Sequence, residues 1–363
     1  MRRSKAGMRG RLWVPLALVV LLILALPVAA FTETAPEHEL KELLGIDLDE
    51  CEPMTNLASP WATRERLPFK LDEPRGAGIG EDVYMVGGIV GLQEEDDGSL
   101  LLEPSDELTR FRTAGERFED LAPMPRRLNH IGVVAYRGEI YVVGGYGRIL
   151  SGHTSKSFFR YVPATDRWTR LPDMPEPRAA MAVGVVGHRL IVAGGARDNT
   201  PLASTYAYDF ESGSWSRLPD MGSRREHVGA AVLDGKLYVL GGRTPQSLAV
   251  DTAERFDAKS ERWEELPRMP VRSGGLGAAG LNGRVFAVGG GNDAAGTVTG
   301  AVQEFDPRSG RWKLLAGMRT PRHGQEVAST DDTIWAIGGS PCPYYNASDY
   351  VESLHVEEGD DEN

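Results

Sequence analysis

Cysteine is scarce: Cys51 and Cys342 are the only two in 363 residues. In an exported protein such a pair suggests one disulfide; elsewhere the two stay as thiols. Histidine is sparse too. The seven are scattered, with no two at metal-ligand spacing along the chain, so no metal site is expected. There is no G-x-S-x-G, no H-E-x-x-H and no phosphate-binding glycine loop. No catalytic residue and no cofactor are therefore expected. Positive charge is in deficit, with 40 Lys and Arg against 52 Asp and Glu and a formal net charge of −12. That balance argues against nucleic acid and anionic membrane as general partners.

Long apolar runs are missing as well, with one exception. "MRRSKAGMRGR" carries five basic residues and no acid, and no charge follows from Leu12 to Ala30. A basic start, an apolar stretch and the small-residue end "VAA" predict a secretory signal over residues 1–30. The stretch is also near bilayer-spanning length, so an uncleaved anchor is the alternative. Either way the rest of the chain is expected to be exported: periplasmic, secreted or held at the cell surface. Loss of residues 1–30 would take five positive charges from the formal −12 and leave −17. Residues 31–57 read as an acidic stalk or packing arm, in which "HELKELLGI" suits a short helix. Residues 357–363 read as a solvated acidic tail.

Glycine, in contrast, is abundant, and much of it comes in pairs. "KLYVLGG" ends at Gly242, and five more apolar stretches end the same way. The doublets are Gly87–Gly88, Gly144–Gly145, Gly194–Gly195, Gly241–Gly242, Gly289–Gly290 and Gly338–Gly339, spaced 57, 50, 47, 48 and 49 residues apart. A period near 50 built from short β patterns predicts a propeller. Each unit reads as four strands. In the fourth, "HVGAAVL" suits a crowded inner strand, Asp234–Gly235 a tight hairpin and "KLYVL" the second strand. The third and outer strands carry aromatics seven residues apart: Tyr161 and Trp168, Tyr208 and Trp215, Phe256 and Trp263, Phe305 and Trp312, and, less strongly, Phe111 and Phe118. One sheet cannot bury two apolar faces alone, whereas neighbours in a ring can. The doublets and tryptophans are expected to be structural: glycine for positive φ and close backbone approach, tryptophan to fill gaps between sheets.

The glycine doublet, the aromatic pair and the Met-Pro-x-x-Arg-like junction resemble Kelch repeats over residues 58–356. That resemblance implies an all-β, six-bladed propeller with four-stranded blades. The last doublet is followed by "DYVESLHV", a third strand with no tryptophan strand after it, while "PWATRERLPF" supplies Trp61 near the start. The N-terminal strand is thus expected to complete the last blade and close the ring. Cys342 would then lie in that blade. Cys51 precedes the closing strand by a lead whose extended reach of about 33 Å permits a bridge without requiring one.

One constellation suggests binding. Arg127, Arg178, Arg225, Arg272 and Arg322 occupy the junctions between outer and inner strands, with Arg75 a sixth candidate. The loops after the doublets share that face and bring Tyr146, Arg197, Asn199 and Arg243. Guanidinium forks suit carboxylates, and a basic centre in an acidic body attracts anions. The competing expectation is that these arginines bond blade carbonyls. His130 and His227 follow two of the junctions, as packing residues or as part of a site.

Three functions fit. The first is an exported module that binds a protein or acidic extracellular ligand through its loop face. The second draws on a distant similarity to bacterial sialic-acid mutarotases: an acidic-sugar binder or enzyme in which Arg225, Glu226 and His227 supply cation, base and acid. The third is a structural or adhesion protein of the cell surface.

Overall fold

The computed structural model describes residues 53–94, 100–148, 153–292, 295–343 and 345–357. The signal or anchor segment, the helix suggested at residues 38–46 and Cys51 lie outside them. Among the described residues there is no α-helix. Six four-stranded antiparallel sheets follow one another as the blades of a propeller. Blade 1 uses Arg75–Ile79, Asp82–Val86, Leu108–Arg112 and Arg117–Leu121. Blade 2 begins with Gly132–Tyr136, blade 3 with Ala182–Val186, blade 4 with Gly229–Leu233 and blade 5 with Gly277–Leu281. Blade 6 takes Glu326–Thr330, Thr333–Ile337 and Val351–His355, and its outer strand is the N-terminal Ala62–Thr63. Ala62 pairs with Ser353 and Thr63 with Glu352, as the missing tryptophan strand predicts.

The repeat chemistry explains the pairing. Aromatics seven apart stand directly opposite each other across the outer hairpin, Tyr161 to Trp168 and Phe256 to Trp263. Each of four indoles then reaches out of its own blade. Trp168, Trp215, Trp263 and Trp312 donate Nε1–H to the carbonyls of Ala122, Pro172, Pro219 and Pro267 in the preceding blade. Asp234 and Gly235 have φ of 48° and 71°, the geometry of a tight hairpin turn.

Among the described residues there is no single central core. Six hydrophobic clusters form, one at each seam between neighbouring blades. Met124, Met174, Met221, Met269 and Met318 each fill a different one, where an unbranched side chain suits an irregular gap.

The doublets sit where the seams are tightest. The first glycine bonds within its blade, as Gly194 N–H does to Ser204 O, and the second crosses the seam, as Gly195 N–H does to Arg225 O. Both have positive φ, 63° and 83° at this pair. A Cβ on Gly194 would come within 2.8 Å of the Arg225 carbonyl, and one on Gly195 within 2.6 Å of the Ala179 carbonyl. A side chain on Gly194 would push the next blade away, and one on Gly195 would displace the turn that leads into its own inner strand.

Candidate functional site: the channel mouth

The inner strands run down the central channel, starting from its mouth. Just ahead of them, six equivalent residue pairs cross from one blade to the next: Asp72–Glu73, Asn129–His130, Ala179–Ala180, Glu226–His227, Gly274–Gly275 and His323–Gly324. The first member of each bridges to the residue after a glycine doublet, Asn129 to Tyr146 and Glu226 to Arg243 for example. The second member has positive φ throughout, from 49° at Glu73 to 66° at Gly324. Backbone bonds string these turns together. Ala180, His227, Gly275 and Gly324 donate N–H to the carbonyls of His130, Ala180, His227 and Gly275, at 2.8 to 2.9 Å. The result is a collar around the mouth.

Above the collar lies a cavity of about 350 Å³. Asp72, Glu73, His130, Glu226, His227 and His323 line its floor, with Ile89, Leu102, Tyr146, Asn199, Arg243 and Tyr345 on its walls. Four two-stranded ribbons rise from the loops after doublets: Ile89–Glu94 with Leu100–Pro104, Tyr146–Arg148 with His153–Thr154, Ala196–Arg197 with Thr200–Pro201, and Gly291–Asn292 with Thr297–Val298.

The expected arginine ring divides in two. Arg178, Arg225 and Arg322 are 0 % exposed and turned into their own blades. Arg225 donates to the carbonyls of Gly241 and Thr252 and pairs with Glu254 at 2.9 Å. Arg178 bonds Gly194 O and Ser204 O, and Arg322 bonds Gly338 O and Ala336 O while pairing with Glu352. None of the three offers a fork to a ligand; here the carbonyl-bonding expectation describes the geometry. Arg127 and Arg272 do not share that register. The residues equivalent to Arg178 are Leu128 and Ser273, whose carbonyls accept from Gly88 and Gly242. One residue earlier, Arg127 and Arg272 swing outward, 59 % and 65 % exposed, and pair with rim carboxylates: Glu103 and Asp106 for one, Asp251 for the other. Arg75 bonds Glu73 at 2.8 Å and Arg197 is exposed on its ribbon, whereas Tyr146, Arg243 and His227 line the mouth. The set of Arg225, Glu226 and His227 is therefore not assembled, since the arginine faces the blade and its two neighbours face the cavity.

In place of an arginine ring, the floor carries a carboxylate–imidazole cluster. His130 Nε2 stands 3.6 Å from Glu73 Oε1, and the His130 and His227 rings lie 4.6 Å apart. His130 Nδ1 donates to Asn129 Oδ1 at 2.8 Å, His227 Nδ1 to Glu226 Oε2, and His323 Nε2 to the Cys342 carbonyl at 3.1 Å. Burial keeps His130 neutral, its pKa lowered to about 3. Burial pushes Asp72 up to about 7, with His323 opposing and Glu73 assisting. Burial also acts to raise Glu73, but the Arg75 guanidinium bonded to it pulls the other way, and that carboxyl is held below its usual range.

Sequence spacing hid this cluster, because its members lie far apart along the chain. Aligning units on the residue that bridges to the doublet would have found Asp72, Glu73 and His323 beside His130 and His227. Alignment on arginine did not. Cys342 is buried and disulfide-bonded, and its expected partner Cys51 lies outside the described residues.

Comparison with known proteins agrees with this architecture. The profile of the KLHDC2/KLHL20/DRC7 Kelch-repeats domain matches residues 74–271 and 129–339. The chain belongs to the Kelch-repeat family. It is similar to the Kelch-like protein terF of Aspergillus terreus, 30% identical over 39% of this chain and 32% of that protein. It is also similar to beta-scruin of Limulus polyphemus, 39% identical over 23% of this chain and 9% of that protein. A third relative is the Kelch repeat and BTB domain-containing protein 1 of camelpox virus, 26% identical over 36% of this chain and 21% of that protein. The matched stretches thus span about a third of these relatives or less. Kelch-repeat propellers typically serve as protein-interaction modules.

Proposed function

We propose that this Kelch-repeat propeller is an exported interaction module that takes a polypeptide partner at the channel mouth. The observation that carries this reading is the cavity walled in part by three of the ribbons, through Ile89 and Leu102, Tyr146, and Ala196 and Asn199, with mixed aromatic, aliphatic and charged walls. A concave site of this size suits an inserted segment, with the ribbons meeting its flanks. An acidic partner fits the rim, where Arg127, Arg197 and Arg272 are exposed and Arg243 lines the wall; Arg178, Arg225 and Arg322 take no part. Two observations support export: the basic-then-apolar pattern of residues 1–30 and the disulfide at Cys342.

Site-specific photocrosslinking tests the face. A crosslinker at Asn199 sits at the mouth, and one at Asp234 sits in a hairpin at the opposite end of the channel. The expected result is a polypeptide captured from position 199 and not from 234, with capture reduced by R197A. Equal capture from both ends, or capture from 234 alone, would overturn the mouth as the docking face.

A further inference from the structure

We infer that the collar binds a divalent transition-metal ion, held by Glu73, His130 and His227. This goes beyond the interaction reading and stands without it. Ligand atoms of the three residues lie within 4.8 Å of one another. The His130 Nε2 to Glu73 Oε1 separation of 3.6 Å is close to the ~3.4 Å edge of a tetrahedron with bonds of about 2.1 Å.

Ring anchoring supports the same reading. Asn129 Oδ1 only accepts, so His130 gives it the Nδ1 proton and presents Nε2 toward Glu73. His227 is fixed in the same sense, with Nδ1 donating to Glu226. Anchoring one ring nitrogen on an acceptor while the other is presented is how metal-ligating histidines are oriented. An adjoining set of Asp72, Glu73 and His323 also gathers within 4.8 Å, shares Glu73, and has its imidazole anchored on a carbonyl.

The donor set selects the metal. Two imidazoles and a carboxylate, without thiolate, suit zinc, cobalt or nickel better than soft ions. Three protein ligands leave a coordination position, and the cavity floor is where it would open. A partner group with a lone pair, or water, would complete the sphere.

The test uses the full chain, stripped with chelator and titrated with Co(II) at neutral pH. The expected result is one equivalent bound with the visible absorption of a nitrogen–oxygen cobalt centre. Zn(II) should displace it and raise Tm. E73Q and H227A should weaken binding tenfold or more, while H188A, in the turn between the first two strands of blade 3 at the far end of the channel, should leave it unchanged. Because either site variant can lose the fold, imidazole NMR signals of the unmodified chain are followed as well. Zn(II) should shift at least two histidines. No cobalt spectrum, no imidazole shift, or binding untouched by both site variants would overturn the assignment.

Discussion

Two cavities of almost equal size share one axis, and their chemistry is opposed. The channel between the inner strands encloses about 360 Å³, walled largely by glycine, alanine and valine. The mouth encloses about 350 Å³ and collects carboxylates, imidazoles, tyrosines and an arginine. The difference comes from what each backbone demands of its side chains. Inner strands of neighbouring blades converge, so their residues must be small: a Cβ on Gly280 would come within 2.5 Å of the Val232 carbonyl. The collar residues sit in turns whose bonds need only main chain. Ala180 and Gly275 hold their places as well as His130 and His227 do. At the mouth the scaffold leaves the side chain free to vary, and that is where the chemistry has gathered.

This contrast can be broken or sharpened by substitution. The largest effect is expected at Arg225, whose blade-facing role separates it from its mouth-facing neighbours. R225M leaves Glu254 a buried charge bonded only by Gly222 N–H and the Ser223 hydroxyl, and removes a donor from the carbonyls of Gly241, Thr252 and Val239. It should cost about 3–5 kcal/mol in denaturant unfolding, and R225M with E254Q should recover part of that loss. Full stability in R225M would return Arg225 to the set of candidate ligand contacts.

Next comes Glu326, a carboxyl in the channel wall. Burial raises its pKa to about 8, with Arg75 opposing. The folded chain therefore keeps a proton that the unfolded chain releases near its ordinary pKa of 4.5. That contribution is full below the unfolded value and falls as pH rises through the folded one, by about 1.4 kcal/mol per pH unit in between. E326Q should flatten this slope and stabilise the protein at alkaline pH, as read from denaturant midpoints across the window from 4.5 to about 8 and just above it. A parallel slope in the variant would assign the loss to other groups. The smallest effect belongs to the mouth: R197A and N199A should change stability by less than about 0.5 kcal/mol while reducing partner capture.

Much of the fold was legible because a propeller repeats its own constraints. Each doublet marks the same seam, each aromatic pair the same hairpin, and the orphan Trp61 segment fits the one gap left. The site was less legible. Arg127 and Arg272 look like Arg178 in sequence, yet a one-residue offset turns a side chain from the blade to solvent. The cluster from Asp72 to His323 exists only once the ring is closed, so no spacing along the chain announces it. The tautomers of its histidines depend on acceptors, such as the Cys342 carbonyl, that arrive from other segments.

The closing strand has a consequence in time rather than in space. Ala62 and Thr63 are synthesised long before their partners Ser353 and Glu352. Arg64 adds a bond to Ser353 at 2.7 Å and a pairing with Glu116 of blade 1, so one short segment ties the last blade to the first. Until then blades 1 and 5 each lack a neighbour, with apolar seam faces open to water. The same segment, offered a second chain before its own is finished, could complete that chain's sixth blade instead. The latch that closes the ring is thus also the place where two copies would exchange strands.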